Sequence, residues 1–416
     1  MATLPASVVV VSRGRAGALT LCLTGLVQQD HPSFEIVVVA DRPGLAALTA
    51  WEDRTGRTGQ IKAVAFDEPN ISVARNLGVE QAAGDVVAFI DDDAVPEPTW
   101  LRHLCAPFEE SDTIHAAGGY VRGRNGISYQ WRAQSVDRTG ATVPIALDGD
   151  TPTALSPSPT QAIKVEGTNM AFRRATLAEL GGFDPAYRYY LDETDLVMRL
   201  AARGGETAIV PLAEVHHGYL ANATRNASRV PTDMTQIGAS LAVFLRRHAP
   251  RHQIDAARAR MRGDQRRRLL RHMVTGPLDP WGLQRILHSF DTGFEEGEAR
   301  ALETLPALPH AARPFQPIPR LADTPPLVLS GRSWQRGALM EQAARAVEEG
   351  RRVTVFCLSP TALYHRVRFV EPGIWLQTGG LFGRSDRDQP LFRVCGFASR
   401  VEKETRRISP QRGILA

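Results

Sequence analysis

The sequence predicts an α/β fold with a mostly parallel sheet covered by helices on both faces, followed by a helical segment and a small C-terminal α/β module. Three observations lead there. Runs of β-branched residues alternate with helical stretches up to about position 220. The runs are apolar throughout rather than alternating, as expected of strands buried on both faces. Beyond a proline-rich connection at 305–326, strand and helix signals resume over 327–416.

The elements follow in order. Ser7–Val11 is the first buried run, and a turn containing Gly14 leads to a helical stretch from Ala16 to Gln29. Phe34–Ala40 is the second run, ended by a turn signal at Asp41-Arg-Pro-Gly44. Ile61–Phe66 is the third. A helix is expected over Ile71–Ala83, closed by Gly84 as its C-terminal cap. Val86–Ile90 is the fourth strand and runs directly into Asp91-Asp92-Asp93. The region from Arg122 to Pro159, rich in Gly, Pro, Ser and Thr, reads as a mobile loop. Helical signal returns at Arg174–Leu180 and Thr194–Arg203, and Val210–His217 reads as a strand. The tail predicts strands at Leu327–Ser330, Arg352–Leu358, Val367–Val370 and Phe392–Phe397, with a helix over Gln335–Glu349.

Composition bounds the function. A chain of 416 residues, at roughly 150 per domain, holds two or three domains. Hydrophobic residues at 43% and charged residues at 23% exclude whole-chain disorder. No stretch reaches the ~18 apolar residues that a membrane-spanning helix needs, and no signal peptide is visible. Cys22, Cys105, Cys357 and Cys395 are far apart and form no metal-binding pattern, so they are expected as reduced thiols in a cytoplasmic protein. The net charge is only +4, yet ten arginines and two aspartates lie between Arg246 and His272. Such a cluster either forms a solvated helix face or docks on an anionic membrane surface or lipid-diphosphate acceptor. Nucleic acid is not expected, because no recognised binding motif accompanies the charge.

Three groups of residues can carry chemistry. Asp91-Asp92-Asp93 loads one strand end with negative charge, which favours a divalent cation carrying a diphosphate. Asp192 and Glu193 precede a predicted helix; Asp192 suits an N-cap, and a carboxylate on a cleft wall suits a general base. His216 and His217 end a strand and must face opposite ways, so one of the two can ligate a metal.

From Ser7 to about Ala223 these residues resemble the inverting family 2 glycosyltransferases of GT-A fold, a Rossmann-like arrangement. The matches, in order, are Ser12-Arg-Gly-Arg15, Glu35–Asp41, Val73–Gly78, Ala83–Asp93, Gly167–Arg173, Gly181–Asp184 and Asp192–Leu196. The resemblance implies a catalytic domain over 1–225; composition and pattern add a helical arginine-rich segment over 226–304, a proline-rich linker over 305–326 and a small α/β C-terminal module over 327–416. The resemblance also implies a nucleotide-diphospho-sugar donor, a glycan or lipid-linked acceptor and Mg²⁺ or Mn²⁺. By residue, it places Ser12, Arg13, Asp41, Arg75, Asp91, Asp92 and Asn169 around the donor. Asp93 with His217, or else His216, would bind the metal, and Glu193 would be the base. The reaction expected is sugar transfer to a hydroxyl in surface or secreted glycan synthesis, by an enzyme that is cytoplasmic or peripheral at the inner membrane face. A sugar nucleotidyltransferase or a non-catalytic binding protein of the same fold is the alternative. The former would want a lysine-bearing glycine loop near the first strand, of which Arg13-Gly-Arg-Ala-Gly17 is only a faint echo.

Overall fold

The structure is a computed structural model, and it describes residues 3–221, 224–226, 228–321 and 324–414. The chain opens with β1 (Ala6–Ser12), α1 (Ala16–Leu26), β2 (Phe34–Ala40), α2 (Arg42–Thr55), β3 (Lys62–Ala65), α3 (Ile71–Gln81) and β4 (Val86–Asp91). These four strands are parallel in the order β3-β2-β1-β4. The chain first builds outward through β2 and β3, then returns to the other side of β1. That reversal creates a crevice at the carboxyl ends of β1 and β4, where parallel sheets bind ligands. Every residue of β2 is buried, as a run with both faces covered must be.

The second half of the sheet is mixed. It comprises β5 (Ala94–Pro96), α4 (Trp100–Glu110), β6 (Ile114–Arg122), β7 (Tyr129–Trp131), β8 (Gln134–Asp137), β9 (Thr142–Pro144), β10 (Thr153–Leu155), β11 (Gln161–Lys164), β12 (Met170–Arg173), α5 (Arg174–Glu179), α6 (Asp192–Ala201) and β13 (Glu206–His217). β12 runs antiparallel between β4 and β6, and β13 lies beside β6 and also pairs with β5. Apolar clusters fill both faces of this sheet.

Several expectations are corrected. Asp41-Arg-Pro-Gly44 is not a turn: the Asp41 carboxylate accepts the Gly44 N–H and caps α2, with proline in the first helical turn. The same residue types start helices and make turns, and the half-buried face of α2 decided between them. Gly84 is not the cap of α3, which ends at Ala82. A Cβ at Gly84 would instead stand 2.7 Å from the Ser7 backbone nitrogen, so this glycine permits close strand approach. Arg122–Pro159 is not a structureless loop, because it contains β7 to β10, of which β8 and β9 join β11 just beyond it in a small sheet, β11-β8-β9. In α6, Asp192 is the first helical residue, and Leu191, in left-handed backbone, precedes it as cap.

The arginine-rich stretch forms helices α7 (Thr235–His248) and α8 (Ile254–Val274), followed by α9 (Pro280–Ala299). Many of its cations are internally engaged: Arg247 pairs with Asp184, Arg262 with Asp291, and Arg260 donates to the Thr139 carbonyl. The proline-rich connection is a strap rather than a free tether, apart from positions 322 and 323, which lie outside the described residues. Its backbone N–H groups bond the Ala178, Glu80 and Phe34 carbonyls, through Leu308, Ala312 and Ile318.

The tail holds β14 (Leu327–Arg332), α10 (Arg336–Glu348), β15 (Val353–Ser359), β16 (Arg366–Val370), β17 (Ile374–Gly380) and α11 (Phe397–Arg412). Its sheet order is β14-β15-β17-β16. The strand expected at Phe392–Phe397 is absent, since Phe397 begins α11 and β17 supplies the fourth strand. This module is docked by a buried ion pair: Arg412 donates to both Glu97 oxygens, at 2.9 and 3.1 Å. Among the described residues, no helix is long and apolar enough to cross a membrane.

Two outcomes follow for stability. Arg412→Ala leaves Glu97 as an uncompensated buried charge, and should cost about 3–5 kcal/mol, read by thermal unfolding and protease resistance of the tail. Within the module, Arg407, Ser385 and Arg400 hold Glu404, despite its burial, down at about 2. That value lies below the ~4.3 of an unfolded glutamate, so the stabilisation is full above pH ~4.3 and is lost as pH falls toward 2. Glu404→Gln should therefore flatten the acid side of the stability–pH curve in that window.

Candidate active site

The crevice at the carboxyl ends of β1 and β4 opens into a cleft of about 700 Å³, lined by Arg75, Asp91, Lys164, Glu166, Glu193 and His217 among others. The three consecutive aspartates part ways where β4 ends at Asp91 and the chain turns through Asp92 and Asp93. Asp91 faces the cleft with its side chain 30% exposed, whereas Asp92 is fully buried. Asp92 turns inward, accepting from Ser12 Oγ at 2.7 Å and pairing with Arg15 at 2.5 Å. Burial raises it to about 7 in spite of these partners. Asp92 and Ser12 therefore brace the strand end and do not line the cleft.

Asp93 turns back toward the site. Its Oδ2 accepts the Leu220 N–H at 2.8 Å and contacts Arg15 at 3.1 Å. Its Oδ1 is buried and stands 3.2 Å from His217 Nε2. The other ring nitrogen of His217, Nδ1, contacts Gln130 Oε1 at 3.0 Å. An amide oxygen only accepts, so Nδ1 carries a proton and Nε2 is the nitrogen turned toward the two carboxylates, with Asp91 Oδ2 at 3.9 Å. Although burial works the other way, Asp93 and Asp91 raise the proton affinity of the ring, so without a cation Nε2 is the atom that donates to Asp93.

Ligand atoms of Asp91, Asp93 and His217 all lie within 4.8 Å of one another. Two hard oxygens and an imidazole whose Nδ1 is anchored by Gln130 fit Mg²⁺ or Mn²⁺, which would take the place of the Nε2 proton. His216 faces the other way. Its Nε2 meets Glu97 at 2.9 Å and its ring packs against Trp375. Glu97, Glu214 and His216 also converge, but Arg412 and Arg122 already neutralise the two acids, so that cluster is structural.

The opposite wall carries the second acid pair. Asp192 is held by Arg75, whose other nitrogen donates to the Gly167 carbonyl at 3.0 Å and lies 3.6 Å from Asp91. Glu193 lines the cleft beside Lys164 Nζ, at 3.3 Å, and accepts from Thr194 Oγ1 at 2.8 Å. Although burial works the other way, Lys164 and Arg75 hold Glu193 below the usual glutamate range, so it is ionised. Lys164 is itself paired with Glu166 at 2.9 Å.

The remaining sequence-predicted residues divide. Arg13 is exposed and bonds the Asp67 carbonyl. Each Asp41 oxygen accepts one backbone N–H, from Gly44 and Gly14, and keeps a lone pair free. Asn169 is not a cleft residue. Fully buried, it donates to the Tyr120 and Ala213 carbonyls and accepts from Trp100 Nε1, which ties β6, β13 and α4 together. Sequence reasoning missed Arg15, Gln130, Lys164 and Tyr219, the last stacked 4.4 Å from His217. Arg15 was within the quoted Ser12–Arg15 motif; Gln130 and Lys164 lay in the stretch read as irregular or just beyond it. Among the described residues, the non-glycine residues with positive φ are Tyr190, Leu191, Tyr219 and Arg229, and all but Leu191 line this cleft. Such strain collects at functional sites.

The switch point of the parallel sheet thus brings three candidate metal ligands and a paired carboxylate to one cleft. A sequence model described as "Glycosyltransferase like family 2" matches residues 5–236, more than half of the chain, and the protein belongs to that family. A glucosyl-dolichyl phosphate glucuronosyltransferase of Haloferax volcanii is 28% identical over 160 residues, 38% of this chain and 49% of that protein. An O-antigen biosynthesis protein of Myxococcus xanthus is 26% identical over 248 residues, 54% of this chain and 18% of that protein. The chain thus spans about half, or less, of the length of these curated relatives. A mannosyltransferase of Pyrobaculum calidifontis, solved with GDP-Man and Mn²⁺, aligns over 73% of this chain and 77% of its own at 16% identity and a TM-score of 0.40.

If the triad holds the ion, Mn²⁺ with UDP or GDP should raise the melting temperature of the wild-type protein. At a hundredfold excess over Kd the gain is about 2.7 kcal/mol. Asp93→Ala should remove the manganese-dependent part of that rise.

Proposed function

We propose that this glycosyltransferase moves a sugar, with inversion, from a nucleotide-diphospho-sugar to an acceptor hydroxyl in the synthesis of a surface or secreted glycan. One observation carries the reading: an ionised carboxylate, Glu193, lines the same cleft as Asp91 and His217, behind which buried Asp93 completes the triad. Inversion in one step needs a base on one side of the anomeric carbon and a stabilised leaving group on the other.

Glu193 accepts the proton of the attacking hydroxyl. Lys164 keeps it charged and fixes one of its oxygens, and the α6 amino end favours acids in its first turn. Arg75 joins the two walls by gripping Asp192 while standing near Asp91, so base and triad are held in one register. Asp91, Asp93 and His217 would hold Mg²⁺ or Mn²⁺, which when bound offsets the charge of the departing diphosphate. Asp41, at the end of β2 with a free lone pair on each oxygen, suits recognition of the base. The names of the relatives, one for a dolichyl-phosphate-linked sugar and one for O-antigen, support a glycan or lipid-linked acceptor. A location at the inner face of the membrane is consistent with such acceptors.

Glu193→Gln keeps the shape and the Thr194 contact but removes the proton acceptor. Turnover should fall by about 10²–10⁴-fold while donor affinity, followed by thermal shift, stays within twofold. Unchanged turnover would take Glu193 out of the role of base.

A further inference from the structure

Outside the residues already assigned, the cleft has an unusual third wall. Arg225, Arg229, Arg268 and Arg271 line it together with His272. Arg225 and Arg229 lie over the ring of Tyr219, at 5.3 and 4.8 Å, and Arg225 also donates to the Leu220 carbonyl. Arg268 and Arg271, three residues apart on α8, form no ion pair and no side-chain hydrogen bond with any described residue. Other arginines of this helix do: Arg262 with Asp291 and Arg267 with Asp264. Arg268 is half-buried, and burial and Arg225 depress its charge affinity. Arg271 is exposed, but a partly desolvated guanidinium without a counter-ion is costly, so Arg268 favours an anion beside it.

The place of the wall says whose anion. Arg268 sits among Tyr189, Tyr190, Tyr219 and Arg225, and Tyr190 in turn faces Lys164 and Glu193. It therefore adjoins the base through Tyr190, while Tyr219, stacked on His217, carries the same wall round to the triad. The hydroxyl that attacks must lie beside Glu193, and a group within reach of α8 belongs to the molecule carrying that hydroxyl. Planar guanidinium forks in this number match the several oxygens of a phosphate ester better than a single carboxylate.

We propose that Arg268 and Arg271, supported by Arg225 and Arg229, form a phosphate subsite for the acceptor, so that this enzyme glycosylates a molecule bearing a phosphate or diphosphate ester. The inference rests on the reading of Glu193 as base and of the triad as the donor's end of the cleft. It assigns the cleft-facing part of the arginine cluster to substrate recognition inside the site, while its other arginines are structural.

The test uses inorganic pyrophosphate as probe, titrated calorimetrically into full-length protein already saturated with Mn²⁺ and whichever of UDP or GDP stabilises it. Pyrophosphate should bind this loaded protein, and glucuronate at the same concentration should not. Arg268→Ala combined with Arg271→Ala should weaken pyrophosphate at least about tenfold, as expected for lost charge-assisted bonds, with nucleotide affinity changed less than twofold. The Lys pair at the same positions, which keeps the charge but loses the fork, should fall between; it also guards against misfolding of the alanine variant. Pyrophosphate that binds only without nucleotide would make the arginines part of the donor site and overturn the proposal. Equal binding of glucuronate, or no effect of the alanine pair, would overturn it too. If no nucleotide binds with Mn²⁺ at all, it is the donor reading that fails, and the two failures are thereby distinguished.

Discussion

Three carboxylates in a row at the end of a buried strand repel one another, and the catalytic edge of this protein is organised around that repulsion. The turn after β4 sends Asp92 inward, leaves Asp91 facing the cleft and brings Asp93 beside His217. Arg15 spans the inner and outer acids, Ser12 secures Asp92, and the Leu220 N–H secures Asp93. Thus the loop after β1 and the chain after β13 are both committed to one strand tip. What they leave uncompensated is a single oxygen of Asp93 and the exposed face of Asp91, with His217 between them. Charge removed at Arg15 would be felt in the triad although Arg15 is none of its ligands.

Much of this was legible in the sequence, and for a physical reason. Strands covered on both faces need unbroken apolar runs, so β1, β2 and β4 announced themselves, and acids at their ends stood out against that background. Alternation required His216 and His217 to diverge, and the structure gives His217 to the acids and His216 to Glu97. Asp41 misled because a helix cap and a turn use the same chemistry. Asn169 sits in a motif shared with donor sites, yet here all its polar capacity is consumed in joining strands. Lys164 and Gln130 left no local trace, since their importance comes only from what the folded chain sets beside them.

The arginine-rich segment shows how a charge count conceals two kinds of residue. Arg246, Arg247, Arg260 and Arg262 secure helices and loops by bonding carbonyls and carboxylates. Arg268 and Arg271 point into the cleft instead. Composition alone could report the surplus of positive charge but not its direction, which depends on the rotation of α8 against α9 and the core.

The divergence of the two histidines also has a mechanical side. Because neighbours on an extended strand share one backbone, the imidazole serving the acids and the imidazole packed against Trp375 cannot shift independently. A chain trimmed to the portion that matches its relatives would not be a smaller edition of the same catalyst. Trimming would strip Trp375 from His216 and Arg412 from Glu97, baring a ring and a carboxylate one peptide bond behind the cleft. For anyone recombining such enzymes, the natural cassette is the last strand together with the tail that clamps it.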